Sequence, residues 1–390
     1  MLALPSVSPA AKVTFTAVGQ LFVNTSVGST AVLSGLINSV DIKALARIVY
    51  AVLTPSFLFS STLHTLSKYG FSPDLLCMPF CAALQVLLAL MLTRKVVLPL
   101  LGIDRNSDEG RELALLSTFG NPGIYPLLLW TELFGRNYLG SPALLPQLTA
   151  YMTFYLLGTS PMLWSVGKAI MMNGKGTDEA CLVGEAEDCI GPSRITKVLK
   201  ALRALITPPP VAGALMGVLV ASVPPLRALF VGPNAPLNSI VSSIDFLGKA
   251  YLPSASLVLA GSFVGEARFK FGKGKKEKVK VKGKVVDGLK RRIFAVGCIR
   301  FVLLPTVGLT VLRTLCFMGI FPAPLVNPAL WFFFATQFMT PPAQNTVIVA
   351  QLAGSPAGAT RIARALFILY VISAVPVSIV FSRMIPFCGL

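Results

Sequence analysis

The sequence predicts an all-α polytopic membrane protein on three observations. Of its 390 residues 54% are hydrophobic and only 13% charged, with a mean hydropathy of +0.73. Ten apolar runs approach the roughly 20 residues that cross a hydrocarbon core about 30 Å thick. The basic residues gather in alternate gaps between those runs. An average soluble domain carries about 25% charged residues, so an ordinary soluble enzyme is excluded, as is disorder, which needs low hydrophobicity.

The runs fall at 13–37, 44–66, 75–93, 111–133, 145–170, 210–230, 239–264, 293–318, 328–353 and 361–386. Irregular backbone cannot face lipid, so they are expected to be transmembrane helices, broken only where protein or water covers the break. Placing the gap after the fifth run in the cytosol puts 26 of the 34 lysines and arginines on that side. That bias sets the orientation and leaves both termini non-cytosolic. Five helices per half make the halves two inverted five-helix repeats. The N-terminus lacks the basic flank and cleavage site of a signal peptide, so the first run is expected to be retained.

Between the halves, residues 171–208 form a cytosolic central loop with an acidic patch (Asp178, Glu179, Glu185, Glu187, Asp188) ahead of Pro208, Pro209 and Pro210. A second cytosolic loop, 265–292, contains the basic stretch Lys270 to Arg292. That run is expected to be solvated and to set topology, with attraction to anionic lipid as its sharper role. The net charge of +18 does not imply a nucleic-acid partner, because the basic residues sit between apolar runs and form no aromatic-interleaved face. Cys77 and Cys81, at i, i+4 with no histidine nearby, make no metal site, so free thiols are expected and no metal or cofactor.

Marks recur in the two halves. The second and seventh runs carry Pro55-Ser56 and Pro253-Ser254, and the third and eighth carry Leu98-Pro99…Gly102 and Leu304-Pro305…Gly308. The fourth and ninth are both interrupted. In the fourth, Gly120, Asn121, Pro122 and Gly123 break an apolar helix; in the ninth, Pro341 and Pro342 do so ahead of Ala343, Gln344 and Asn345. Glycine and proline destroy the regular hydrogen-bond ladder. Paired discontinuous helices point to a transporter's binding site, where freed backbone amides meet an anion. Asn121, Gln344 and Asn345 can bind a carboxylate without adding charge, whereas in a plain kink they would bond the loosened backbone. Gln147, Tyr151 and Tyr155 share one face of the fifth run and would suit an aromatic acid, or serve as interfacial residues.

Ionisable residues within spans are few. Asp245 and Lys249 are expected to pair at i, i+4, Arg300 to snorkel to the cytosolic face, Glu132 to close the fourth helix, and His64 to be an interface residue. Asn24-Thr25-Ser26 matches a glycosylation sequon but lies inside a span. Neither break carries a carboxylate, which favours electrogenic uniport of an organic anion over proton or sodium coupling. No cluster of nucleophile and base supports an enzyme. The alternatives are a sodium-coupled symporter of the bile-acid type and a non-transporting receptor or scaffold.

Gly120-Asn121-Pro122-Gly123, Pro341-Pro342-Ala343-Gln344-Asn345 with Gln351-Leu352, and Arg300 ahead of Leu304-Pro305 together resemble the auxin efflux carrier family, closer to its PIN-LIKES branch. The resemblance implies an inverted five-plus-five fold with crossover helices four and nine. Helices one, two, six and seven (13–66 and 209–264) would be a scaffold forming a homodimer. Helices three to five and eight to ten (75–170 and 293–387) would be a transport domain moving as an elevator. The substrate implied is indole-3-acetic acid or a similar aromatic carboxylate, and the membrane that of the endoplasmic reticulum. The family's crossover asparagines map to Asn121 and Asn345. With Pro122, Pro341, Pro342, Gln344, Gln147 and Tyr151 they make the expected substrate site. The third run departs from the family pattern in offering only Gln85.

Overall fold

The computed structural model describes residues 9–135, 144–172, 207–232, 234–271 and 282–389. The acidic patch of the central loop and the middle of the Lys270–Arg292 run lie outside them.

The described residues form helices: α1 (Pro9–Leu33), α2 (Val40–Tyr69), α3 (Pro73–Leu100), α4 (Asp108–Thr118), α5 (Ile124–Trp130), α6 (Leu144–Met162), α7 (Pro209–Ser222), α8 (Pro224–Phe230), α9 (Asn238–Lys249), α10 (Tyr251–Phe271), α11 (Gly288–Phe317), α12 (Pro328–Phe338), α13 (Asn345–Leu352) and α14 (Pro356–Phe387). Among the described residues the only extended pairing is one isolated bridge, Gly120 with Pro342. Of the helices, α2, α3, α11 and α14 are each long and apolar enough to cross a membrane. The pair α7 and α8 would make a fifth span, but it bends by 106° between Ser222 and Pro224. The run expected at 210–230 is therefore not one straight helix; Pro224 and Pro225 remove two amide donors and start a new helix. The run expected at 239–264 is likewise two helices, α9 and α10, with Ala250 between them.

Prolines shape three of the long helices in the same way. Thr54, Leu98 and Leu304 each donate a wide i→i−5 backbone bond, to Val49, Thr93 and Ile299, and each is followed directly by proline. The widened turn takes up the clash and the missing donor that proline brings.

Helices approach closely where glycine allows it. In α7, a Cβ on Gly213 would lie 2.4 Å from the Pro55 carbonyl oxygen and one on Gly217 would lie 2.6 Å from that of Phe59, so this Gly-x-x-x-Gly face lets α7 pack on α2. Gly248 brings α9 onto Phe57 of the same helix, Gly28 seats α1 against Ala260 of α10, and Gly158 seats α6 against Pro79 of α3. The helix α12 is buried all round from Ala329 to Gln337 and forms the aromatic centre of the molecule. Phe332 meets Phe134 and Phe381, and Phe333 meets Trp130, Tyr151 and Tyr155. Large apolar side chains also stand exposed in rows, Phe80, Leu84, Leu87 and Met91 on α3 and Val371, Ile372, Val375 and Ile379 on α14. Such rows suit contact with lipid tails and would be a liability in water.

Several expected contacts are replaced by others. Asp245 meets His64 of α2, Oδ2 to Nε2 at 2.9 Å, where a pair with Lys249 was expected. Arg291 and Arg292, the end of the basic run, are docked and not merely solvated. Arg291 donates to Glu109, and Arg292 lies 2.8 Å from the buried Glu112, which also takes Arg361 from the start of α14. This ion network ties the starts of α4, α11 and α14 together. Cys77, Cys81, Cys298, Cys316 and Cys388 are free thiols, while Cys181 and Cys189 lie outside the described residues.

Candidate functional site

The two interrupted helices meet at their breaks. Helix α4 ends at Thr118 and α5 begins at Ile124; α12 ends at Phe338 and α13 begins at Asn345. The backbone freed between them pairs across the crossover: Asn121 N–H donates to the Pro341 carbonyl at 2.8 Å and Ala343 N–H to the Phe119 carbonyl at 2.9 Å. Two of the amides expected to face an anion are thus spent on joining the breaks. The cost of unpaired backbone inside a membrane gives the reason. Proline lacks an N–H but keeps a carbonyl, so Pro341 can accept in this bridge.

Side chains brace the crossover from both sides. Asn121 is 5% exposed; its Nδ2 donates to the Tyr370 hydroxyl at 2.7 Å, and that hydroxyl donates to the Pro342 carbonyl at 3.1 Å. Tyr125 meets Ser373 at 2.9 Å. Behind the bridge, Gln337 Nε2 donates to the Pro122 carbonyl at 3.1 Å, Gln85 Nε2 to the Gln337 carbonyl at 3.2 Å, and the Tyr155 hydroxyl to Gln85 Oε1. Arg300 does not snorkel. It is 1% exposed, with Nε on the Thr340 carbonyl at 3.0 Å and Nη2 on Thr340 Oγ1 at 2.9 Å.

A cleft opens in front of the bridge, with about 620 Å³ of space counted out to its open mouth. Asn121, Gln344 and Asn345 supply its polar wall, with Gly120, Pro122 and Gly123 of the first break. Its apolar walls come from Phe57 of α2, Met152 and Leu156 of α6 and Leu252 of α10. Asn345 Nδ2 donates to the Tyr251 hydroxyl at 2.7 Å, and Tyr251 stacks on Phe57 with ring centroids 5.0 Å apart. Asn345 Oδ1 and Gln344 Oε1 are buried without a hydrogen-bond partner. Because the Tyr251 hydroxyl can donate as well as accept, Asn345 can present either end of its amide to a ligand.

Of the expected site residues, Asn121, Pro122, Gln344 and Asn345 line this cleft, and Pro341 and Pro342 form the bridge beside it. Gln147 and Tyr151 are not brought there. Gln147 Nε2 donates to the Tyr151 hydroxyl, which joins Asp74 of α3 and Asn327, the residue capping α12. The sequence reading missed Tyr251 and Tyr370 as partners of the two asparagines. Each is a lone tyrosine in an apolar helix, and only the tertiary packing gives it a partner.

An apolar helical bundle whose two interrupted helices cross beside a polar cleft has the architecture of a membrane transporter. The chain matches the family described as membrane transport protein over residues 13–381 and belongs to it, the auxin efflux carrier family that its crossover motifs resemble. Similar proteins of Arabidopsis thaliana include Protein PIN-LIKES 7, 32% identical over 144 residues that make up 37% of this chain and 32% of that protein. Protein PIN-LIKES 1 is 29% identical over 178 residues, 46% of this chain and 33% of that protein. The matched stretch spans about a third of the length of these curated relatives.

Proposed function

We propose that this protein carries a small organic anion, an aromatic carboxylate such as indole-3-acetate, out of the cytosol as a uniporter. The observation that carries the proposal is the convergence of both crossover asparagines and Gln344 on one apolar-walled cleft. Turned toward the cleft, the Asn345 amide donates to a carboxylate, while the free Gln344 Oε1 accepts an N–H such as that of an indole. Phe57 and Tyr251 offer an aromatic wall. Among the described residues no acidic side chain lines the cleft, which favours movement of the anion by its own gradient and the membrane potential.

The wider reading has ten spans in two inverted repeats, α1, α2 and α7 to α10 as a scaffold suited to a homodimer, and the remaining helices as an elevator. Its support is that the cleft takes residues from both groups, Phe57, Tyr251 and Leu252 from one and the two breaks with α6 from the other. The resemblance to the PIN-LIKES branch favours the endoplasmic reticulum membrane.

The test is uptake of labelled indole-3-acetate into proteoliposomes under an imposed potential. Flux that follows the potential, needs no sodium or proton gradient and disappears in Asn345→Ala is expected. Flux that requires sodium would replace uniport with symport, and binding without flux would make the protein a receptor.

A further inference from the structure

Behind the crossover lies a second, smaller cavity that the proposed transport site does not use. Phe119, Gly120, Pro122 and Thr159 line both cavities, so the bridge is the partition between them. The rear cavity is walled by Gln85, Thr118, Tyr155, Arg300, Gln337 and Thr340.

Most of its polar groups are committed. The Tyr155 hydroxyl, both ends of the Gln85 amide and the Gln337 nitrogen hold one another and the Pro122 carbonyl. Two groups have no hydrogen-bond partner, Arg300 Nη1 and Thr118 Oγ1, and both residues are at least 98% buried. A guanidinium cannot lose its charge to escape burial, and among the described residues no carboxylate pairs with Arg300. A buried cation without a counter-charge is costly in a membrane interior. Its position is fixed by Thr340, which takes Nε and Nη2, and the space for Nη2 exists because residue 120 is glycine.

We infer that the rear cavity is a binding site for a monovalent anion, held by Arg300 Nη1 and the Thr118 hydroxyl. It is the smaller of the two cavities and has room for a small group, a halide or the carboxylate end of a substrate whose ring stays in the front cleft. With the anion in place the crossover core is electrically neutral. A halide site stands apart from the transport reading; a substrate carboxylate here rests on transport of that anion but moves its carboxylate contact from Asn345 to Arg300.

The experiment uses the full chain in nanodiscs, comparing thermal unfolding in sodium chloride and sodium gluconate at constant ionic strength. A saturable rise in Tm with chloride, reproduced by bromide, is expected in wild type and assigns a resident halide. In Thr118→Val the half-saturating concentration should rise about tenfold, the equivalent of one lost hydrogen bond, and Arg300→Gln should abolish the effect. In the second arm indole-3-acetate is titrated in gluconate. A stabilisation that survives Asn345→Ala but weakens in Thr118→Val assigns the site to the substrate's carboxylate. If neither anion stabilises the folded protein, or if Thr118→Val responds as wild type in both arms, the inference is overturned. Proteoliposome flux is scored separately: flux without any anion effect removes this site alone, and an anion effect without flux removes only transport.

Discussion

Asn121 Nδ2 lies 2.7 Å from the hydroxyl of Tyr370, 249 residues further along the chain. The same hydroxyl donates to the Pro342 carbonyl, so one phenol on α14 fastens both breaks of the crossover. Tyr370→Phe removes both bonds, so the buried Asn121 amide and the Pro342 carbonyl each lose one. Such losses cost about 1–3 kcal/mol each, so Tm should fall clearly, and uptake with it. An unchanged Tm would show that the phenol is not what fastens the crossover.

Gly120 should tolerate no side chain. A Cβ there would fall 1.4 Å from Arg300 Nη2 and 2.5 Å from Thr340 Oγ1, whereas one on Gly123 has only Leu156 Cδ1, at 3.9 Å, within reach. Gly120→Ala is expected to destabilise by more than about 3 kcal/mol, the range of severe overpacking, and Gly123→Ala by much less. Thermal unfolding of the two variants side by side checks this, and equal losses would contradict the packing.

Tyr251→Phe separates binding from folding at the other asparagine. The ring keeps its stack on Phe57, while Asn345 loses the hydroxyl that orients it. The expected outcome is a modest change in Tm and about a tenfold or greater loss of apparent affinity in uptake, the worth of one well-placed hydrogen bond. An unaltered concentration dependence would exclude Asn345 from the substrate site.

Gln147→Ala provides the contrast. Its amide donates to the Tyr151 hydroxyl, which in turn meets Asp74 and Asn327 away from the cleft, so its effect on apparent affinity should be smaller than that of Gln344→Ala. Dose–response curves of uptake for the two variants decide the matter, and the reverse order would return Gln147 and Tyr151 to the site.

Glu112 is 1% exposed and sits between Arg361 and Arg292. Removing one member of a buried ion pair typically costs about 3–5 kcal/mol, because the remaining charge stays buried. Glu112→Gln should therefore lower Tm sharply. Replacing Arg361 as well should add less than its own single effect, which a double-mutant cycle measures.

The places of the two breaks were legible in the sequence because their cause is local. Glycine and proline cannot sustain a helix, and their asparagines sit within a few residues of the interruption. The membrane class was equally plain, since hydropathy is a property of composition. Less legible was the course of the sixth and seventh runs, where Pro224 and Ala250 divide what hydropathy alone joins. Hydropathy averages over a window and does not register a change of direction.

What the tertiary structure alone decided is which groups meet. From sequence spacing Asp245 belonged with Lys249, Arg300 with the aqueous face and Tyr151 with the substrate; packing gave them His64, Thr340 and the Asp74–Asn327 cluster instead. The physical reason is that a buried polar group takes whichever partner the fold brings within about 3 Å. Side chains on separate helices come that close only after the helices have packed. Helix breaks and apolar runs are written residue by residue, but the partition at Gly120, with a polar cleft before it and a buried cation behind, exists only once segments far apart in the chain close around it.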